Sequence, residues 1–357
     1  MDSKFLNHTR RSVVGFELID FADSKEISSM RETLSVDTPT HIRWNDWEYG
    51  SEVRELRSLY EKGKANQWNA STDLDWETPV SKDEWMGELD MSLLANLLKM
   101  MGKSEAEQKA AMFDEVAYTC SQLLHGEQAA LQLCGQLTSL CPTTDEKLYA
   151  ANQVADEARH IEIFARLTGE KMGTIYPIMP TLKFLLDELL AVEGYHMKTL
   201  GMQTLFEGMA VGIMGMMREQ AFNPLLVHLL QRAEQDEARH AAFGVFTMRR
   251  VVERAEPEER DQMEDWAFKV LEALNASQQL GMLHALGPKY GIDANQVTEG
   301  MLAMPEWREL NSQLYMHTVV PNLIRLGLIT ERTRDQWIAC GMLVESQFSG
   351  KSVPLSS

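Results

Sequence analysis

A chain of 357 residues that is 44% hydrophobic and 24% charged has a globular composition, enough for one large helical domain or two ordinary ones. It has no apolar run near the eighteen or so residues that a membrane span needs, and its net charge of −19 argues against nucleic acid and anionic membranes as partners. Four scattered cysteines, Cys120, Cys134, Cys141 and Cys340, lack the spacing of a zinc or iron–sulfur site, and the N-terminal stretch lacks a continuous apolar signal segment, so a cytoplasmic location is expected.

In chain order, residues 1–80 read as an irregular arm with some short helix, packed on the body, because the polar stretch "NQWNASTDLDWETP" is rich in turn formers. From residue 81 the text becomes helical, and 81–350 is expected to form one helical domain. "SKDE" at 81–84, "SEAE" at 104–107 and "TTDE" at 143–146 have the capping-box form, in which a hydroxyl and an acid three residues on satisfy each other's backbone N–H. Pro142, Pro177, Pro180, Pro224 and Pro257 punctuate the stretches that follow. Helices are predicted near 82–101, 105–139, 144–170, 181–221, 225–254 and 257–285, then 293–303, 306–326 and 331–347. No stretch alternates with period two between hairpin turns, so the fold class expected is all-α: a four-helix bundle at about 105–255, with further C-terminal helices.

The pentad "DEARH" occurs twice, at 156–160 and 236–240. Positions i and i+3 share a helix face, so Glu157 projects with His160 and Glu237 with His240. Thirty residues before each pair, a lone glutamate interrupts apolar helical text: Glu127 and Glu207. A carboxylate placed there is costly to bury unless something neutralises it. The repeated pattern, offset by eighty residues, reads as a duplicated helical hairpin bringing four glutamates and two histidines to one point. One Glu from each of two helices and Glu-x-x-His from each of the other two make a carboxylate-bridged dimetal ligand set, which suits iron or manganese better than zinc.

On these residues the chain resembles the ferritin-like di-iron carboxylate proteins, specifically their oxygenase and oxidase branch, closely over 105–255 and loosely in the flanks. The resemblance implies two iron ions, with Fe/Mn as an alternative, and O2 as co-substrate. By similarity to methane and toluene monooxygenase hydroxylases, Asp156 is expected to hold His240 and Asp236 to hold His160, with Arg159 and Arg239 neutralising the aspartates. Where the ribonucleotide reductase small subunit usually has a radical tyrosine, this chain has Phe164; where the hydroxylases carry a threonine it has Val211; where arylamine N-oxygenases add a seventh ligand, a histidine, it has Ala233.

A substrate pocket is expected from Leu123, Leu124, Ala130, Leu131, Phe164, Gln203, Ala210, Val211 and Met214, all within a turn or two of the ligands, forming a dry cavity for a small apolar or aromatic molecule. Gln153 and Gln203, each four residues before a ligand glutamate, are polar exceptions, and His196 reads first as a hydrogen-bonded core residue. Gly208, Gly212 and Gly215 read first as close-packing positions and second as a π-bulge. The function expected is O2-dependent oxidation of that molecule, with the alternative of a ferroxidase or ribonucleotide-reductase-like protein without organic substrate. With no dinucleotide fingerprint and no cysteine cluster, electrons are expected from a separate reductase or ferredoxin, and the protein is expected to be a homodimer.

Overall fold

The computed structural model describes residues 50–297 and 313–344, side chains 276–280 excepted. The arm before residue 50 and the parts of the expected C-terminal helices at 298–312 and 345–347 lie outside the described residues. Among those described there is no β-strand, only a bridge between Gly87 and Ala221, and no helix long and apolar enough to cross a membrane. The fold is the all-α helical bundle that the helical periodicity predicts.

Helix α1 (Arg54–Ala65) precedes α2 (Leu93–Met100), and the bundle begins with α3 (Glu105–Leu140) and α4 (Thr144–Ala165). After α5 (Pro180–Ala191) and the single turn α6 (Tyr195–Lys198) come α7 (Glu207–Gln220) and α8 (Pro224–Arg254), then α9 (Pro257–Tyr290), α10 (Val319–Leu326) and α11 (Arg334–Ala339). The four bundle helices are two hairpins, α3 with α4 and α7 with α8, and α4 also meets α8. Both turns are three residues long, which forces antiparallel neighbours.

Local chemistry starts three of the four bundle helices. Ser104 and Glu107 form the capping box of α3, and Thr143 and Glu146 that of α4. Asn223 caps α8 by accepting from Leu226 N at 3.1 Å, with Pro224 in the first turn, where its missing N–H costs nothing. Helix α1, which the sequence pattern left within an irregular arm, buries Leu56 and Leu59 and is tied to the start of α4: Asp145 accepts from Val53 N at 2.8 Å and Arg57 Nε at 2.6 Å.

Three predicted elements differ. The "SKDE" segment is not helical: Glu88 N donates to Gln220 O at 2.9 Å and Phe222 N to Met86 O at 2.8 Å. Backbone groups committed to the α7–α8 turn cannot join a helical ladder, so α2 starts only at Leu93. The helix expected over 181–221 is interrupted after Ala191, where Gly194 takes φ 84°, a left-handed conformation that glycine adopts without penalty. The chain then winds as a π-helix from Thr199 to Phe206 before reaching α7, and a second π turn, Arg166–Lys171, ends α4. The helix expected at 257–285 continues to Tyr290 with Pro288 inside its last turn.

The π-helix sets the backbone of Gln203 against α8. A Cβ at Gly244 would lie 2.7 Å from Gln203 C and O. Gly244→Ala should therefore cost about 1–3 kcal/mol, since backbone cannot retreat as a side-chain tip can. Gly135→Ala, exposed on α3 with nothing within 4 Å, should instead stabilise by about 0.5–1 kcal/mol. Denaturant midpoints of the two variants, measured side by side, check the opposite signs.

Candidate metal centre

Six side chains meet at one level of the bundle: Glu127 from α3, Glu157 and His160 from α4, Glu207 at the first position of α7, and Glu237 and His240 from α8. None is more than 4% exposed. They form two overlapping groups, Glu127, Glu157, His160, Glu237 and Glu157, Glu207, Glu237, His240, each with ligand atoms within 4.8 Å of one another. Glu157 and Glu237 belong to both groups. Were two ions bound, Glu157 and Glu237 would be available to both, and Glu127 and Glu207 to one each.

The imidazoles are oriented alike. His160 Nδ1 lies 2.8 Å from Glu237 Oε1 and 3.4 Å from Glu127 Oε2, and His240 Nδ1 lies 2.8 Å from Glu237 Oε2 and 3.2 Å from Glu157 Oε1. The opposite nitrogens face aspartates from the other pentad: His160 Nε2 to Asp236 Oδ2 and His240 Nε2 to Asp156 Oδ2, each 3.2 Å. A carboxylate accepting from Nε2–H fixes the tautomer that leaves Nδ1 with a free lone pair toward the glutamates.

Around the aspartates lies a second ring of contacts. Arg159 reaches both Asp156 and Asp236, whereas Arg239 pairs with Asp236 alone. Gln67 Nε2 and Asn152 Nδ2 donate to Asp156 at 2.9 and 3.2 Å, and Trp68 Nε1 donates to Asp236 at 2.8 Å. Gln67, Trp68 and Asn152 carry no spacing signal, and the first two come from the segment after α1. Gln153, noted only as a polar exception, bridges Glu157 Oε1 at 2.8 Å and Glu207 Oε1 at 2.9 Å. Gln203 donates to Cys134 Sγ at 3.3 Å.

The donor set fits two divalent cations. Glu157 Oε2 is buried without a hydrogen-bond partner, and His160 Nδ1 and Glu237 Oε1, though 2.8 Å apart, are not aligned for a hydrogen bond, a costly arrangement that a cation between them would remove. Charges balance as well, four glutamates against two dications and two aspartates against two arginines. In the protein alone, burial and then the charge of Glu237 push Glu127 and Glu207 well above the usual carboxylate range. Burial would lower both histidines, yet the negative charges of Glu237 with Glu127, and of Glu237 with Glu157, raise His160 well above its ordinary value and His240 to about 10. For Asp236 the same burial is overcome by His160 and Arg239, which hold it far below its ordinary value.

A cavity of about 800 Å3 opens against Glu127 and Glu207. Of the residues expected to line it, Leu123, Ala130 and Ala210 do. Leu124, Leu131, Phe164, Gln203, Val211 and Met214 do not. Successive helical residues diverge by about 100°, so Leu124 leaves the cavity lining to which Leu123 belongs and packs with Phe164 and Met214 in the buried apolar cluster. The rest of the wall comes from other positions of α3 and α7, such as Tyr118 and Ile213, and from elements that the ligand spacing does not index, through Met179, Leu182, Leu186 and Leu274. Ala233 is buried in that same apolar cluster and offers no seventh donor. His196 sits half-buried after Gly194, edge-on to Tyr195 and outside both ligand groups. Gly208, Gly212 and Gly215 do serve close packing: a Cβ at each would meet Val319, Leu314 or Glu234 at 2.9–3.2 Å.

Metal uptake must displace protons. Because His240 holds its proton up to about pH 10 in the metal-free protein, binding at pH 7 releases it, and affinity rises with pH by about tenfold per unit for each proton released. Calorimetric titration with Mn2+ in buffers of different ionisation enthalpy should show net proton release and tighter binding at pH 8 than at pH 6. Asp236→Asn, which removes the charge facing His160 Nε2, should weaken binding roughly 10–100-fold in the same titration.

Residues 51–319 match the family described as P-aminobenzoate N-oxygenase AurF. Among solved structures, the chain is similar to an R2-like ligand-binding oxidase with aerobically reconstituted metal cofactor after photoconversion, at 18% identity over 80% of this chain and 95% of that one, with a TM-score of 0.47. It is similar also to an R2-like ligand-binding oxidase with aerobically reconstituted Mn/Fe cofactor after a long soak, at 18% identity over 80% and 94%, TM-score 0.47. No curated protein matches. With its match to this family spanning both bundle hairpins and all six clustered ligand candidates, the chain belongs to the AurF family of ferritin-like di-iron oxygenases.

Proposed function

We propose that Glu127, Glu157, His160, Glu207, Glu237 and His240 hold two metal ions, iron in both sites or iron with manganese, and that the protein uses O2 to oxygenate an organic molecule lying in the adjacent cavity. The single observation that carries this reading is the shared wall: Glu127 and Glu207 belong one to each ligand group and both border the cavity. A molecule seated there touches the one side of the dimetal site that the helices leave open. A reader of iron alone has no use for about 800 Å3 of largely apolar space, which favours oxygenation over the ferroxidase alternative.

When bound, the metal pair supplies the capacity to bind and reduce O2. The chain's own groups do the rest. Asp156 and Asp236 keep the two histidines in the ligating tautomer, and Gln153 holds Glu157 and Glu207 in register with each other. The π-helix ahead of Glu207 places that glutamate where the helical ladder is widened and most easily shifted. The apolar wall excludes water from the oxidising centre. Incorporating one oxygen atom and reducing the other to water takes two electrons and two protons from outside the substrate, so a reductase or ferredoxin partner is part of the proposal. Oxidation at nitrogen, the reaction in the family's description, is the subtype to test before carbon hydroxylation.

Loaded anaerobically with Fe2+, the protein should hold two irons per chain, and Glu157→Ala, which removes a candidate bridge, should hold one or fewer. Exposure of the diferrous protein to labelled O2 with a reductant and an aryl or alkyl amine should yield product with one labelled oxygen atom, while the variant falls to background. Continued Fe2+ oxidation with no product from any organic candidate would instead favour the ferroxidase.

A further inference from the structure

The cavity has a second end. Glu115 and Glu127 both line it and lie twelve residues apart on α3, about 18 Å at 1.5 Å per residue. Glu207 and Gln220, at opposite ends of α7, line it too and span a similar length. The space therefore runs from the metal groups to the region where α2 begins, and Asp90, Asn96, Glu115 and Gln220 border that far end.

Its chemistry is one-sided. Among the described residues that line the cavity there is no lysine, arginine or histidine, while four carboxylates face it. Two of these, Glu127 and Glu207, are balanced by the metals in the proposed function; Asp90 and Glu115 are not. Glu115 anchors α2 by accepting from Ser92 Oγ at 2.7 Å, Leu93 N at 3.1 Å and Leu94 N at 3.0 Å, and no cation neutralises it there. Gln220 Oε1 is buried without a hydrogen-bond partner, an acceptor waiting for a donor. The other amides are spent: Asn96 Nδ2 donates to Leu89 O and Ser92 O, and both ends of Gln122 are held by Pro177 O and Met179 N. The far end thus offers acceptors and negative charge but, among the described residues, no cation that could neutralise an anion.

We infer that the substrate is an elongated, largely apolar molecule whose end away from the metals carries a hydrogen-bond donor, an amine or ammonium group above all, read by Glu115, Asp90 and Gln220 Oε1. A carboxylate is disfavoured, because it would lie among like charges with no cation in the lining to neutralise it. This departs from the acid named in the family's description, whose carboxylate finds no cation among the described cavity residues. The inference rests on the proposed function for which cavity is the substrate site, and on the far end's own residues for the class of molecule.

Three probes of one length separate the charges: decylamine, decanol and decanoate, titrated below their aggregation limits into the metal-loaded full chain held anaerobically. The expected order of affinity is amine, then alcohol, then carboxylate, with amine over carboxylate by roughly tenfold or more. Asp90→Asn, on an exposed residue that folding does not need, should shrink that ratio, and Glu115→Gln, where it folds, should shrink it further. Glu170→Gln with Glu253→Gln removes as much charge from exposed positions elsewhere and should leave the ratio unchanged, which separates the cavity from the general acidity of the surface. Carboxylate binding as tight as amine, no binding by any probe, or equal effects of cavity and remote variants would overturn the inference. Admitting labelled O2 afterwards tests the oxygenase reading separately: amine binding in the expected order without any oxygenated product leaves the substrate class standing and removes the oxygenase.

Discussion

Four carboxylates buried at one level of a helical bundle repel one another, and no apolar packing around them removes that repulsion. Two divalent cations do. In the proposed metal-bound state each ion would replace the water that the glutamates gave up, and Glu157 and Glu237, common to both ligand groups, would be available to both ions. The bundle can therefore close tightly around its most polar point. Without the ions, burial raises Glu127 and Glu207 above the usual carboxylate range and the neighbouring glutamates raise both histidines, so metal loading is linked to pH.

That central constraint explains the layer outside it. Each histidine needs an acceptor behind it, each acceptor is itself a buried carboxylate, and each of those needs donors in turn. Arg159, Gln67, Asn152 and Trp68 supply them, and Trp68 and Gln67 come from the segment that follows α1. The ties between α1 and the start of α4 through Asp145 thus do more than attach a peripheral helix. They hold in place the residues that finish the hydrogen bonding of the centre.

The cavity follows from a local departure from regular helix. By winding Thr199–Phe206 as a π-helix, the chain shifts the phase of α7 relative to what precedes it, and Gly244 makes the room for that wider turn. Leu189 and Trp266 crowd the same segment at Gly201 from the other side, so the π-helix is pinned from both faces. Glu207 emerges from it at the border of metal site and cavity. One end of the cavity is then chemical and the other recognitional, joined by a methionine- and leucine-rich wall whose soft side chains adapt to the shape of what they hold.

Much of this was written along the chain. Helical periodicity, two capping boxes at Ser104 and Thr143 and the repeated pentad suffice for an all-α bundle and for naming the six residues that the structure brings together, because a helix converts spacing of three and four into a shared face. What spacing along one helix cannot carry is the relation between helices. "SKDE" at 81–84 has the local form of a helix start and is overruled by backbone pairing with residues 220 and 222, more than a hundred positions away. The same limit accounts for the pocket: Leu123 and Leu124 both lie within four residues of Glu127 and both pack in one apolar cluster, and only the placement of the neighbouring helices leaves Leu123, and not Leu124, on the cavity. The amino-acid sequence alone determined which donors exist and on which helical face each stands, since those depend on local geometry. Tertiary packing alone decided that Glu157 and Glu237 are shared, that Trp68 backs Asp236 and that the far end of the cavity holds acceptors without a cation, since each joins residues whose only relation is through space.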